Sequence, residues 1–125
     1  MSQNTLLIAP DDIRWEDYKA RPNSKFATLE GNMTEPGVFI TLVRFPANLE
    51  IPAHYHAQTE RGVVLSGSLY LGIGEQADRA KTKYLPAGSV FVIPTGTPHF
   101  LYTTEEVVIH VVSEGPWKSI PVKAQ

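Results

Sequence analysis

The sequence predicts an all-β fold, one barrel or sandwich of short antiparallel strands, and three observations lead there. Short runs rich in Val, Ile, Phe and Tyr recur at 38–45, 62–66, 68–73, 89–93, 99–103 and 107–112. Such side chains suit a pleated, half-buried surface. Ten prolines and nine glycines are spread between the runs, and that regular punctuation marks sandwiches and barrels. Finally, 125 residues make one compact domain, large enough for a core without disulfide staples.

Along the chain, residues 1–30 are expected to wrap the barrel or cover an edge strand. Within them, 11–20 is the one candidate helix, with Asp11 or Asp12 as cap, Ile13, Trp15 and Tyr18 facing inward, and Pro22 as the stop. The barrel is assigned to 31–113. Its turns are Pro46-Ala47-Asn48, Ser66-Gly67-Ser68, Pro86-Ala87-Gly88 and Pro94-Thr95-Gly96-Thr97-Pro98. The tail, 114–125, carries Pro116, Trp117 and Pro121 and reads as extended. The whole of 1–125 is one domain.

Composition excludes several functions. A formal net charge of -2 and a pI near 6.1 do not make the clustered basic surface that nucleic acid requires. The absence of cysteine removes disulfides, thiolate metal sites and cysteine nucleophiles together. The apolar stretch 6–9 is too short for a signal peptide or membrane span. A soluble cytoplasmic protein is therefore expected, in which the sequon at Asn32 has no role.

The chemistry sits in His54-Tyr55-His56-Ala57-Gln58-Thr59-Glu60. Residues two apart on a strand share a face, so His54 and His56 can aim two imidazoles at one point. Glu60 lies an even number of positions further on and can add a carboxylate after a local bend. Further along, Gly88 to His99 reads as a strand, a tight Pro/Gly turn, and a histidine opening the next strand. A rigid turn fixes where His99 points, and fixed ligand geometry is what a metal centre needs. Three imidazoles and one carboxylate leave about two positions open on an octahedral ion.

These two segments resemble the paired motifs of the cupin superfamily. His54, His56, Glu60 and Gly67 match the first motif in spacing, with Asn48 where a leading glycine stands; Asn also enters left-handed turns. Gly88, Pro94, Gly96 and His99 match the second, with Thr103 in place of a final Asn, which is expected to weaken a structural hydrogen bond. Trp15, Gly31 and the exit at 114–116 are similar to the small one-domain cupins related to the anti-sigma factor ChrR. The resemblance implies an all-β double-stranded β-helix, or jelly roll. It also implies one divalent metal ion per chain (Fe, Zn, Mn or Ni) on His54, His56, Glu60 and His99.

Other signals are weaker. Gly72-Ile73-Gly74-Glu75-Gln76-Ala77 formally matches a dinucleotide fingerprint but lacks a following helix, so a hairpin loop is expected. Residues 81–83 and 105–106 read as solvated turns, and Trp15 and Trp117 as packing anchors. His110 is either a core histidine or a pocket-wall donor near the metal. On β-strand alternation, Phe39, Thr41 and Val43 form one face and Val38, Ile40 and Leu42 the other. The expected function is a metal-dependent enzyme, foremost a dioxygenase acting on a small enolisable or diketone-like substrate, as in the acetylacetone dioxygenases the chain loosely resembles. His110 or Thr41 would orient that substrate. The alternatives are a metal-binding regulatory or sensor module and a metal-dependent isomerase or lyase. Unpaired edge strands predict a homodimer, with the N-terminal segment or the tail exchanged across a two-fold axis.

Overall fold

A computed structural model describes residues 5–123. Its strands are β1 (Glu16–Asp17), β2 (Lys25–Glu30), β3 (Gly37–Phe45), β4 (Glu50–His56), β5 (Glu60–Ser66), β6 (Ser68–Ile73), β7 (Thr82–Pro86), β8 (Val90–Ile93), β9 (His99–Tyr102), β10 (Val107–Gly115) and β11 (Ser119–Pro121). They form two antiparallel sheets, ordered β1-β2-β3-β10-β5-β8 and β11-β4-β9-β6-β7. This is the jelly-roll architecture expected of a cupin. No described helix is long and apolar enough to cross a membrane.

The core lies between the sheets, where Val43, Val64, Leu69, Ile93, Val107 and Ile109 form part of one buried cluster. Burying each such side chain contributes about 1.5–3 kcal/mol. Alternation on β3 sends Phe39, Thr41 and Val43 into the space between the sheets, as residues two apart must go. On β10 the same alternation buries Val107, Ile109, Val111 and Ser113, while Val108, His110 and Val112 are half-buried.

That parity corrects the reading of His110 as a pocket-wall donor. Ile109 and Val111 line the interior cavity and His110 does not; it pairs in register with Leu42 and Val63 on the outer face of its sheet. A strand apolar on both faces carries no sign of which set turns inward.

The N-terminal helix expected over 11–20 is absent. Pro10–Asp12 makes a single 3₁₀ turn, and β1 follows. Ile13 and Trp15 are two apart, a strand spacing, and the Arg44 guanidinium lies 5.5 Å from the Trp15 ring centroid. Residues 81–83 are likewise not a plain turn: a 3₁₀ turn at Arg79–Lys81 leads directly into β7, which pairs with β6. The edge of β3 is taken by β2, and β11 pairs along the edge of β4.

Two positions in the motifs show why those residues stand there. Gly67 turns the chain from one sheet to the other at φ 72, and a Cβ on it would sit 1.9 Å from the Glu106 carbonyl oxygen. Asn48 adopts φ 62, the left-handed conformation anticipated for it.

Thr103 does more than the sequence reading allowed. Its hydroxyl donates to Pro46 O at 2.7 Å and accepts from Leu49 N–H at 3.0 Å. Its backbone N–H donates to Leu49 O at 3.0 Å and its carbonyl accepts from Asn48 N–H at 3.1 Å. The buried residue thus braces the whole 46–49 turn. Thr103→Val keeps shape and removes the hydroxyl, leaving buried backbone groups unpaired, and is expected to cost about 1–3 kcal/mol in denaturant unfolding with unchanged metal content. Thr103→Ser should lose less. Equal stability of the Val variant would contradict this bracing role.

Candidate metal centre

A bulge places the first two histidines. The β4–β9 register shifts between Ile51 and His54, so Ile51, His54 and His56 all line the same cavity despite their mixed parity. Bulges re-aim side chains in this way. The bulge also brings the Pro52 carbonyl to the His54 Nδ1, at 2.8 Å. His56 Nδ1 lies 2.8 Å from Lys118 O, supplied by the tail just before β11. His99 Nδ1 lies 3.0 Å from Thr97 O in the Pro/Gly turn. That turn is docked on the first motif, since Gly96 N–H donates to His56 O at 2.9 Å.

A carbonyl only accepts, so each Nδ1 carries the proton and each Nε2 presents a lone pair. The ligand atoms of His54, His56 and His99 lie within 4.8 Å of one another. The three side chains are nearly sealed from solvent, at 6%, 6% and 2% exposure. Burial penalises the imidazolium form and pushes His54 down to about 3 and His56 down to about 4. The same cause lowers His99. All three are neutral at ordinary pH.

Glu60 opens β5, paired with Ile93 of β8. Its preceding loop is pinned by Ser113 Oγ donating to Thr59 O at 2.8 Å. Glu60 Oε1 stands 3.6 Å from His56 Nε2 and 3.7 Å from His99 Nε2, so it sits beside two of the imidazoles and outside the close triad. Burial raises its carboxyl to about 7. This donor set fits a divalent cation. Converging neutral nitrogens and an adjacent carboxylate suit first-row metals, and the carbonyl-bound Nδ1 groups are the usual support for metal-ligating histidine.

The family described as a domain of unknown function, DUF4437, matches residues 2–120. The chain belongs to this family. Its fold is a cupin fold: it superposes with a TM-score of 0.77 on the polyketide cyclase RemF from Streptomyces resistomycificus, at 20% identity over 100% of this chain and 88% of that one. The DMSP lyase DddQ from Ruegeria pomeroyi superposes at 0.69, with 17% identity, 99% of this chain and 75% of that one. Germin-like protein 3-1 of Oryza sativa subsp. japonica is 30% identical over 98 residues, 78% of this chain and 44% of the relative. The chain therefore spans about half the length of that relative.

In this DUF4437 chain the structure brings His54, His56 and His99 together and sets Glu60 beside two of them. Thr41 lines the cavity too, but its hydroxyl donates to backbone, with Ala27 O at 3.1 Å and Leu42 O at 3.2 Å. Sequence reading assigns no role to Arg21 and only packing roles to Trp117 and Tyr18. Trp117 stacks on the His56 ring, with centroids 3.9 Å apart and planes at 20°, and Tyr18 and Arg21 also line the cavity. Trp117 and Lys118 lie far from either motif in sequence, and only the β11–β4 pairing brings them in.

A metal-ligating carboxylate must be ionised. Metal uptake is therefore expected to release about one proton near pH 6, where Glu60 is largely protonated, and close to none near pH 8.5. His54 and His56, at about 3 and about 4, contribute nothing at either pH. Calorimetry in buffers of differing ionisation enthalpy measures this. Equal proton release at both values would show that Glu60 does not ligate.

Proposed function

We propose that this cupin is a divalent-metal enzyme acting on a small enolisable or diketone-like substrate, with His54, His56, His99 and Glu60 as ligands and cleavage by O₂ as its reaction. The supporting observation is the convergence of three neutral imidazoles on a cavity of about 60 Å³. Its walls are otherwise mainly apolar, with Phe39, Val43, Phe91 and Val111 among them.

A bound metal would supply Lewis acidity and, if redox-active, a site for O₂. The protein's own part is to hold the imidazoles neutral and oriented, and to exclude water with its apolar walls. Glu60 is the one carboxylate among the described cavity-lining residues, so a paired-carboxylate hydrolytic mechanism finds no second member. A second reading, lyase or isomerase chemistry without O₂, uses the same residues. It draws support from the fold shared with a polyketide cyclase and a DMSP lyase.

The iron(II)-loaded protein is expected to consume O₂ equimolar with 2,4-pentanedione, giving acetate and methylglyoxal. The double variant His54→Ala/His99→Ala should be at least about a hundredfold slower, having lost its metal. Conversion at the same rate under argon would replace oxidative cleavage by the second reading. Full metal occupancy without turnover of any enolisable compound would favour a sensor module instead.

A further inference from the structure

The mouth of the cavity carries a cation. Arg21 lines it together with Tyr18 and Ser119, and the half-buried Arg21 and exposed Ser119 mark where it meets solvent. Arg21 stands on a built loop between β1 and β2. Tyr18 N–H donates to Ser24 O at 2.9 Å, Arg21 N–H to Tyr18 O at 3.0 Å, and Ser24 N–H to Arg21 O at 3.1 Å. Its guanidinium is further held by donating from Nη2 to Ser119 Oγ at 3.0 Å. One contact therefore ties the N-terminal loop to β11, the strand that follows Lys118, whose carbonyl orients His56.

Lys25, Arg44 and Arg79 are paired with Asp17, Glu106 and Glu50. Arg21 makes no ion pair with any described carboxylate, and it lines the same cavity as His54, His56 and His99. Its bond to Ser119 leaves further guanidinium N–H donors at the opening for an anion from solution. Arginine is also the residue whose planar fork matches a carboxylate.

We infer that Arg21 is an anion-anchoring residue, and that the cavity takes a substrate with a chelating head at the histidines and a carboxylate at its mouth. This rests on the metal-enzyme reading above and narrows its substrate class to keto or diketo acids. Charge supports it. A divalent ion, an ionised Glu60 and Arg21 together leave two positive charges, which an enolised keto acid balances. The small cavity volume supports it as well, since a head group fills the interior and the charged end stays at the opening beside Arg21.

The test compares 4,6-dioxoheptanoate with heptane-2,4-dione, which share the diketone head and differ in the carboxylate. Their binding to zinc-loaded protein is read from the ultraviolet band of the enolate. The wild-type protein is expected to bind the acid about tenfold more tightly than the dione, the gain from one charge-assisted contact. Arg21→Gln should remove that preference and leave dione affinity and metal content unchanged, and Arg21→Lys should restore part of it. Ser119→Ala, which only unties the guanidinium, should weaken acid binding by a smaller factor. Equal binding of the two probes, with Arg21→Gln without effect, overturns the inference while leaving the chelate reading intact. Arg21-dependent binding of the acid without any binding of the dione keeps the anion site and removes the chelate reading. Binding of neither probe overturns the inference.

Discussion

The hydrogen bonds from the Nδ1–H groups of His54, His56 and His99 to the carbonyls of Pro52, Lys118 and Thr97 govern everything the site can do. Each fixes a tautomer, so each Nε2 keeps its lone pair, and each fixes a ring plane. Burial then keeps the rings uncharged. Remove any of these carbonyls and the ring is free to turn its protonated nitrogen inward, where it can no longer ligate.

The carbonyls come from three different local structures, and each depends on a feature of the fold. Pro52 belongs to the bulge in β4. Thr97 belongs to the Pro/Gly turn, which is itself hung on His56 through the Gly96 N–H. Lys118 precedes β11, which pairs with the histidine-bearing strand from His54 to His56. The tail is thus part of the centre: Trp117 covers the His56 ring and Ser119 holds Arg21 at the opening. The closing strand, the His56 imidazole and the Arg21 guanidinium are mechanically one unit.

The fold class and the metal neighbourhood were legible because both depend on short-range spacing. Alternation on β3 and the turn residues at Asn48 and Gly67 have local physical causes. What sequence left hidden depends on long-range pairing. The inward face of β10 is set by register against β3 and β5, so His110, flanked by valines on either parity, gave no sign of its direction. The segment around Trp15 reads as a short helix, whereas the structure leaves it non-helical with Arg44 over the Trp15 ring. Arg21, Trp117 and Lys118 carry no motif, and their place at the centre follows from the loop before β2 and the pairing of β11. Thr103 shows a different limit: a departure from a family pattern need not be a loss, since a hydroxyl braces the same turn.

The coordination shell itself is the most direct check. X-ray absorption at the zinc edge of the reconstituted protein should show one metal per chain with three imidazole nitrogens and at least one oxygen at about 2.0–2.2 Å. Glu60→Gln should preserve the three-imidazole pattern and alter the oxygen shell. A spectrum with fewer than three imidazoles, or one unchanged in His99→Ala, would contradict a metal centre built on the three carbonyl-locked histidines.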